Sequence, residues 1–204
     1  MVPSLDEFLE RPELARLTRR LAKRTPRAIS AEGNERYAAI ALVLRPSPAN
    51  DPELLMIRRA EYEGDPWSGH IACPGGRMDA ADSDLAHTAT RETLEETGVD
   101  LARDGHILGA LDDVAPRTPA LPPLVIRPFV AVVSRDAVTT PSDEVAESFW
   151  VPLVAFLEPS SWVKAVVPIR NVGQREVDAF RYGEFVVWGL THRALTQFLE
   201  LLRD

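Results

Sequence analysis

One cysteine, Cys73, is all that the 204 residues contain. A single thiol excludes an internal disulfide and a cysteine-based zinc site. It fits a reducing compartment, so a cytoplasmic location is expected. Long apolar runs are missing as well. The longest purely apolar stretch, Ala38 to Leu44, is far too short to span a bilayer. The opening residues, MVPSLDEFLE, are acidic and lack an extended apolar core, so no signal peptide is expected. Positive charge is in deficit: 23 Lys and Arg stand against 31 Asp and Glu, a net charge of −8. That balance argues against broad binding to nucleic acid or to an acidic membrane. An anionic substrate must therefore be met by a local basic patch or by a metal ion. No internal repeat is present, and the 17 prolines mark loops without forming a low-complexity tract. The rest is ordinary for a soluble globular protein: 45% hydrophobic and 26% charged residues, in a length that suits one domain with a full core.

The stretch Pro74 to Val99, PGGRMDAADSDLAHTATRETLEETGV, stands out. A double glycine opens it and a helix follows. On a helical projection Glu92, Glu95 and Glu96 fall within an arc of roughly 100°. Leu85, Ala86, Ala89 and Thr93 occupy the adjoining arc, so the acids border the apolar stripe. Like charges at i,i+4 repel even in water, and partial burial raises the cost. Arg91 projects about 100° away from Glu92 and is expected to be unable to neutralise three acids. A hard divalent cation with oxygen ligands, Mg²⁺ or Mn²⁺, answers the excess charge. A solvated acidic helix end is the plainer alternative for such a cluster. Gly98 closes the helix as a C′ glycine.

Arg91-Glu92-Thr93-Leu94-Glu95-Glu96-Thr97-Gly98-Val99 resembles the second half of the Nudix box, Arg-Glu-apolar-any-Glu-Glu-any-Gly-apolar. The first half departs from it. Gly76 lies one residue early, Ser83 stands where the box has its first Glu, and Thr93 replaces an apolar residue. Asp82 or Asp84 is expected to pair with Arg91 instead. The one-residue insertion and the Gly-Gly-x-x-Asp-x-x-Asp pattern resemble the coenzyme A pyrophosphatase branch of the family. Arg59-Ala60 and Gly69 match that branch's upstream motif, whereas Gly64 stands where its second Arg belongs and Cys73 replaces its Phe. The Val187-Trp188-Gly189-Leu190-Thr191 run also resembles that branch. The resemblance covers roughly Ala38 to Leu201.

The resemblance implies hydrolysis of a diphosphate joined to another group, with Mg²⁺ or Mn²⁺. It makes Glu92 and Glu96 the main metal ligands, Glu95 a further ligand or base, and the Gly76 carbonyl an additional ligand. Arg91 would orient the acids. Glu144, with Glu147 behind it, would supply an extra loop carboxylate. Arg58, Arg59, Arg77, Arg117 and Arg127 are candidate contacts to substrate phosphates. Trp67 is a plug or a pocket wall, and His70 a loop histidine that is either structural or a base. The partner is then a small nucleotide-type molecule, with no nucleic acid and no membrane. Homodimers are common in the family, so a homodimer is compatible with the chain. Three functions compete: a diphosphatase of coenzyme A or its thioesters, the same reaction on a (d)NTP, ADP-ribose or dinucleotide polyphosphate, and a non-catalytic nucleotide-binding module.

The expected fold is α/β, a Nudix-type α/β/α sandwich with a mixed central sheet. Residues 1–35 form an N-terminal helix and connector, and 36–204 the Nudix domain. Ser4 to Lys23 reads as an amphipathic helix with a Ser4–Glu7 capping box and a break at Pro12. Strands are expected at Tyr37–Leu44, Glu53–Arg58, Ile107–Leu111, Pro128–Val133, Ser148–Leu153, Trp162–Ile169 and Val177–Phe180. Turns are expected at Pro46 to Pro52, at Asp65-Pro66 and at Asn171 to Gly173. A proline-rich loop is expected from Ala115 to Pro123. A final helix is expected to start in Phe185 to Thr191 and to reach Leu202.

Overall fold

The computed structural model describes residues 4–29, 36–47, 51–64, 67–116, 123–169 and 173–203. The Asp65-Pro66 and Asn171-Val172 turn residues and Pro48 to Asn50 lie outside them, as does Arg117. Two helices come first, α1 (Leu5–Leu9) and α2 (Pro12–Lys23). Ser4 and Glu7 form the reciprocal capping box, and Pro12 begins α2 instead of kinking one long helix. The missing N–H of proline costs nothing in a first turn.

Strands β1 (Arg36–Pro46), β2 (Pro52–Arg59), β3 (Ile71–Ala72) and β4 (Gly75–Arg77) follow. Then come α3 (Leu85–Thr97), the short α4 (Leu101–Asp104), β5 (Gly105–Ala110), β6 (Leu124–Val133) and β7 (Val145–Pro152). These seven strands make one mixed sheet. Its path is β3-β2-β1-β6-β5, with β4 added to β1 and β7 to β2. β1 and β6 run parallel, from Arg36 beside Leu124 to Leu44 beside Val132. After α5 (Leu153–Leu157) and a 3₁₀ turn, β8 (Trp162–Ile169), β9 (Gly173–Tyr182) and β10 (Phe185–Trp188) form a separate antiparallel sheet. The chain then enters α6 (Gly189–Arg203).

The near-continuous apolar run of β1 is explained by burial on both faces. One face sets Ile40, Leu42, Leu44, Leu54, Met56, Val130 and Val132 against Phe8, Leu14, Leu17 and Leu21 of the N-terminal helices and Leu195, Phe198 and Leu199 of α6. The other sets Ala39, Ala41, Val43, Ala131 and Val133 against Ala89 of α3 and against Val99 and Leu101. Small residues on that second face let α3 lie close to the strands. Each fully buried Leu or Val contributes about 1.5–3 kcal/mol relative to exposure.

Several boundaries differ from the sequence reading: β7 starts at Val145 with Leu153 already in α5, and β9 starts at Gly173 in place of Val177. β6 starts at Leu124, four residues before Pro128, so a proline sits inside a strand flanked on both sides. The Pro128 carbonyl accepts from Leu111 N–H. Its absent N–H would point the same way, just past the end of β5 at Ala110, so no ladder bond is lost. Phe185 to Trp188 is a strand, not the first turn of the last helix. It pairs with Ala179 to Tyr182, and Gly189, at φ +67°, ends it.

Asp112 and Asp113, between β5 and β6, tie the layers together. Asp112 accepts from Arg24 and Arg27 and donates its N–H to Gln197. Asp113 accepts from Ile29 N–H and from both Nε and Nη2 of Arg127.

Candidate active site

α3 begins at Asp84, whose carboxylate accepts from His87 N–H at 2.8 Å. It ends at Gly98, in the left-handed region at φ +73°. Threonines on its buried side satisfy themselves within the helix: Thr93 Oγ1 donates to Ala89 O at 2.7 Å and Thr97 Oγ1 to Thr93 O at 2.6 Å. A hydroxyl at 93 thus serves where an apolar residue was expected, because it leaves no bare donor in the core. Two loop amides cap the helix end, Thr140 N–H on Thr97 O and Ser142 N–H on Glu96 O. They bring the segment carrying Glu144 against the acidic edge. No sequence signal marked that contact.

The double glycine is required by close approach. A Cβ on Gly75 would collide with the Ala39 backbone, and one on Gly76 would occupy the place of the Glu92 carboxylate. Gly75 N–H donates to Glu96 Oε2 at 2.8 Å. The acids thus rest on bare backbone of β4, which only glycine allows.

Arg91 reaches further than its projection angle suggested, yet it meets two of the three box acids and leaves Glu96 to other partners. Its Nη1 donates to Glu92 Oε1 at 2.9 Å and Glu95 Oε2 at 2.8 Å. Its Nε and Nη2 grip both oxygens of Asp82, at 2.9 and 2.8 Å, and Nη2 also donates to Arg77 O. Asp82, with its side chain 1% exposed, is the partner supplied by the divergent first half of the motif. Asp84 is the helix cap instead. The guanidinium holds the Asp82 carboxyl well below the usual carboxylate range, helped by Asp79 N–H and the Thr88 hydroxyl and opposed by burial.

Glu96 is the most enclosed of the three box acids, at 3% exposure. Burial pushes its carboxyl up to about 7, against the pull of Gly75 N–H and Arg59 and with the charges of Glu92 and Glu144 adding to the rise. Burial also raises Glu92, opposed by Arg91 and reinforced by the charges of Glu95 and Glu144. Glu95 is the exposed member. Among the described residues no three acids, His or Cys gather into a ready-made metal cluster. Glu92 and Glu95 lean on Arg91, and Glu96 leans on Gly75 and Arg59.

The other predicted residues divide. Arg59 Nη1 faces Glu96 Oε1 at 3.4 Å, and Arg58 Nη2 pairs with Glu147 at 2.8 Å. Arg77 is exposed and lines an open groove with Arg36, Tyr37, Met78 and Asp79, one residue from Gly76. Ala39 is flanked by Gly76 on β4 and by Arg127 on β6, so Arg127 stands about 10 Å from Gly76. Its guanidinium is engaged by Asp113, at 2.7 and 3.0 Å. Trp67 packs against the larger core cluster. His70 lies against the Trp188 ring, with centroids 4.6 Å apart.

A glycine pair pressed against an Arg-Glu-x-x-Glu-Glu helix, in a mixed sheet between helical layers, defines a class of hydrolases acting on diphosphate linkages. Comparison with known proteins agrees. The NUDIX domain family model matches residues 35–169. The chain belongs to the Nudix family and is a Nudix hydrolase. It is 30% identical over 195 residues to the human mitochondrial coenzyme A diphosphatase NUDT8, covering 87% of this chain and 81% of that protein. It is 31% identical over 190 residues to the Nudix hydrolase NudL of Yersinia enterocolitica, covering 92% and 88%. A 37% match to the Schizosaccharomyces pombe protein C14C4.10c spans 53% of this chain and 34% of that protein. Among solved structures, a MutT/nudix family protein from Enterococcus faecalis superposes with a TM-score of 0.58 at 16% identity, covering 100% of this chain and 76% of the other. That likeness speaks for the fold alone. Among the described residues no helix is long and apolar enough to cross a membrane.

Proposed function

We propose that this chain hydrolyses the diphosphate bond of coenzyme A or an acyl-coenzyme A, using Mg²⁺ or Mn²⁺. The observation that carries the reading is the buried Glu96 beside the half-buried Glu92, seated on the bare backbone of Gly75-Gly76. An acidic edge that costly has a use when a divalent ion joins it. The donor set is all oxygen and hard, as those ions prefer. Glu92, Glu96 and Glu95, with the Gly76 carbonyl, would hold the ion. Bringing them onto one point needs side-chain rotations that release Glu96 Oε1 from Arg59 and Glu95 from Arg91.

Such an ion would supply charge neutralisation at the diphosphate and a more acidic water there. The chain's own residues do the rest. Arg91, anchored on Asp82, fixes the root of the acidic edge. A carboxylate, Glu95 or Glu144, takes the proton of the attacking water. The water oxygen bonds to one phosphorus in line with the bridging oxygen, whose bond to that phosphorus breaks. Arg59 and Arg77 are the basic groups within this region for the remaining negative charge, while Arg58 and Arg127 are held by Glu147 and Asp113.

The coenzyme A preference is supported by the Arg59-Ala60 and Gly69 matches and by the name of the human relative. Gly64, where the branch motif has its second arginine, favours the alternative of another nucleotide derivative such as ADP-ribose, a (d)NTP or a dinucleotide polyphosphate. A substrate panel with Mg²⁺ and Mn²⁺, read by product mass, tests this. Adenosine 3′,5′-bisphosphate and phosphopantetheine from coenzyme A, with ADP-ribose and nucleotides untouched, is the expected result. The reverse pattern would move the chain to the alternative.

A further inference from the structure

Arg59 is the last residue of β2, and the β2–β7 register slips at that point. Arg58 is level with Glu147, but Arg59 is level with Val145. The extra residue, Ala146, lies on β7, so β2 keeps its pleat and its successive side chains face opposite sides of the sheet. Here Arg58 goes to Glu147, across the strand pair, and Arg59 goes to Glu96, on the helix. The two contacts are unequal. Arg58 sits at 2.8 Å from its acid, a normal charge-assisted distance; Arg59 sits at 3.4 Å from Glu96 Oε1, which is long. Arg59 is also a quarter exposed, at the edge of solvent, while Glu96 is enclosed. The second Glu96 oxygen is committed to Gly75 N–H. Oε1 is therefore the oxygen of Glu96 that can change partners at least cost, and Arg59 is the group that must yield it. A divalent ion at Oε1 and a guanidinium at the same oxygen would stand about 3–4 Å apart and repel strongly in so enclosed a place.

We propose that Arg59 is a displaceable counter-ion, so that the guanidinium and a divalent metal are alternative occupants of Glu96 Oε1. When the ion takes that oxygen, Arg59 gives up Glu96 and the substrate's diphosphate takes that place among its contacts. Metal arrival thus arms a substrate-binding arginine. This rests on the function proposed above. It adds that Arg59 acts with opposite signs on the two ligands, opposing the ion and favouring the diphosphate.

Titration calorimetry tests the two signs separately. Mn²⁺ is titrated into the native chain and into Arg59→Met, Arg59→Gln and Arg59→Lys. Methylenediphosphonate, which cannot be hydrolysed at its bridge, is then titrated into each protein at saturating Mn²⁺. Arg59→Met and Arg59→Gln are expected to bind Mn²⁺ about 3–10-fold more tightly than the native chain. They are expected to bind methylenediphosphonate about tenfold more weakly. Arg59→Lys, which keeps the charge, moves both values back toward native. A merely structural role would weaken both ligands together or neither. Mn²⁺ affinity that is unchanged or reduced in Arg59→Met and Arg59→Gln overturns the proposal. If the native chain binds Mn²⁺ and cleaves a diphosphate while that happens, only this proposal falls. If the native chain takes up no Mn²⁺, the proposed function falls with it.

Discussion

Asp82→Asn removes one charge and changes little else in shape. In the native chain the Asp82 carboxylate is buried, with its side chain 1% exposed, and binds Arg91 through two parallel hydrogen bonds. An amide can keep one acceptor but turns its NH₂ toward the guanidinium, so the fork is broken. Losing one partner of a buried pair typically costs 3–5 kcal/mol. Arg91 keeps Glu92 and Glu95, which places the expected loss near the lower end, about 3 kcal/mol. With a urea m-value of roughly 2 kcal/mol/M for a domain of this size, the unfolding midpoint should drop by about 1.5 M at pH 7. The pH dependence supplies a second check. The folded-state carboxyl is held below its ordinary value, so its contribution is complete above the unfolded value of about 3.9 and fades as pH falls toward the folded one. Native and Asp82→Asn curves should stay separated by a constant gap from pH 5 to 8 and converge below about pH 3.9. A midpoint shift under about 0.25 M at pH 7, or a gap that widens on acidification, would refute the role given to this pair.

Glu96→Gln should lose at least about 100-fold in kcat if the carboxylate holds the ion. With chelator present, the same variant should melt higher than native at pH 8 and match it near pH 4. The folded carboxyl is raised to about 7, so native stability from this group is full below the unfolded value and declines as pH climbs through 7. Equal melting temperatures at both pH values would contradict the burial argument. Gly76→Ala puts a methyl where the Glu92 carboxylate lies. It should cost about 1–3 kcal/mol in stability and most of the activity, read by melting and by turnover, and a silent Ala would show that the approach is not tight. Arg127→Met leaves Asp113, whose side chain is 1% exposed, without its cation. A stability loss of about 3 kcal/mol in urea is expected, and KM changing with stability intact would assign Arg127 to the substrate instead of the scaffold.

What could be read from the chain before folding was local, and the reason is geometric. Helical spacing alone placed Glu92, Glu95 and Glu96 on one edge beside Ala89 and Thr93, because i, i+3 and i+4 share a face whatever the rest of the molecule does. The Gly-Gly pair before them was visible in the same stretch, and the family came from the resemblance of that stretch to a known motif, which the family model spans. Angles failed for Arg91. A projection tracks Cβ directions, whereas a guanidinium lies several bonds further out and can return to acids one and four residues on. The choice between Asp82 and Asp84 could have been made from capping chemistry, since an Asp directly before a helical run is the natural N-cap. That leaves Asp82 for Arg91. The contacts that set the charge of the site were out of reach. Arg59 meets Glu96 because the end of β2 is packed beside α3, Ser142 caps the Glu96 carbonyl because a loop 46 residues downstream folds back on it, and Asp113 claims Arg127 because the antiparallel pairing of β5 and β6 continues through Val114 and Ile126. The arginine partners are chosen by the tertiary fold from several equally charged candidates in the sequence. The reading of sequence was therefore strongest for which groups are acidic and weakest for which cation each acid would meet. That second question decides how a metal and a diphosphate compete for the same edge, which is why the Arg59 titration bears more directly on mechanism than any single knockout of an acid.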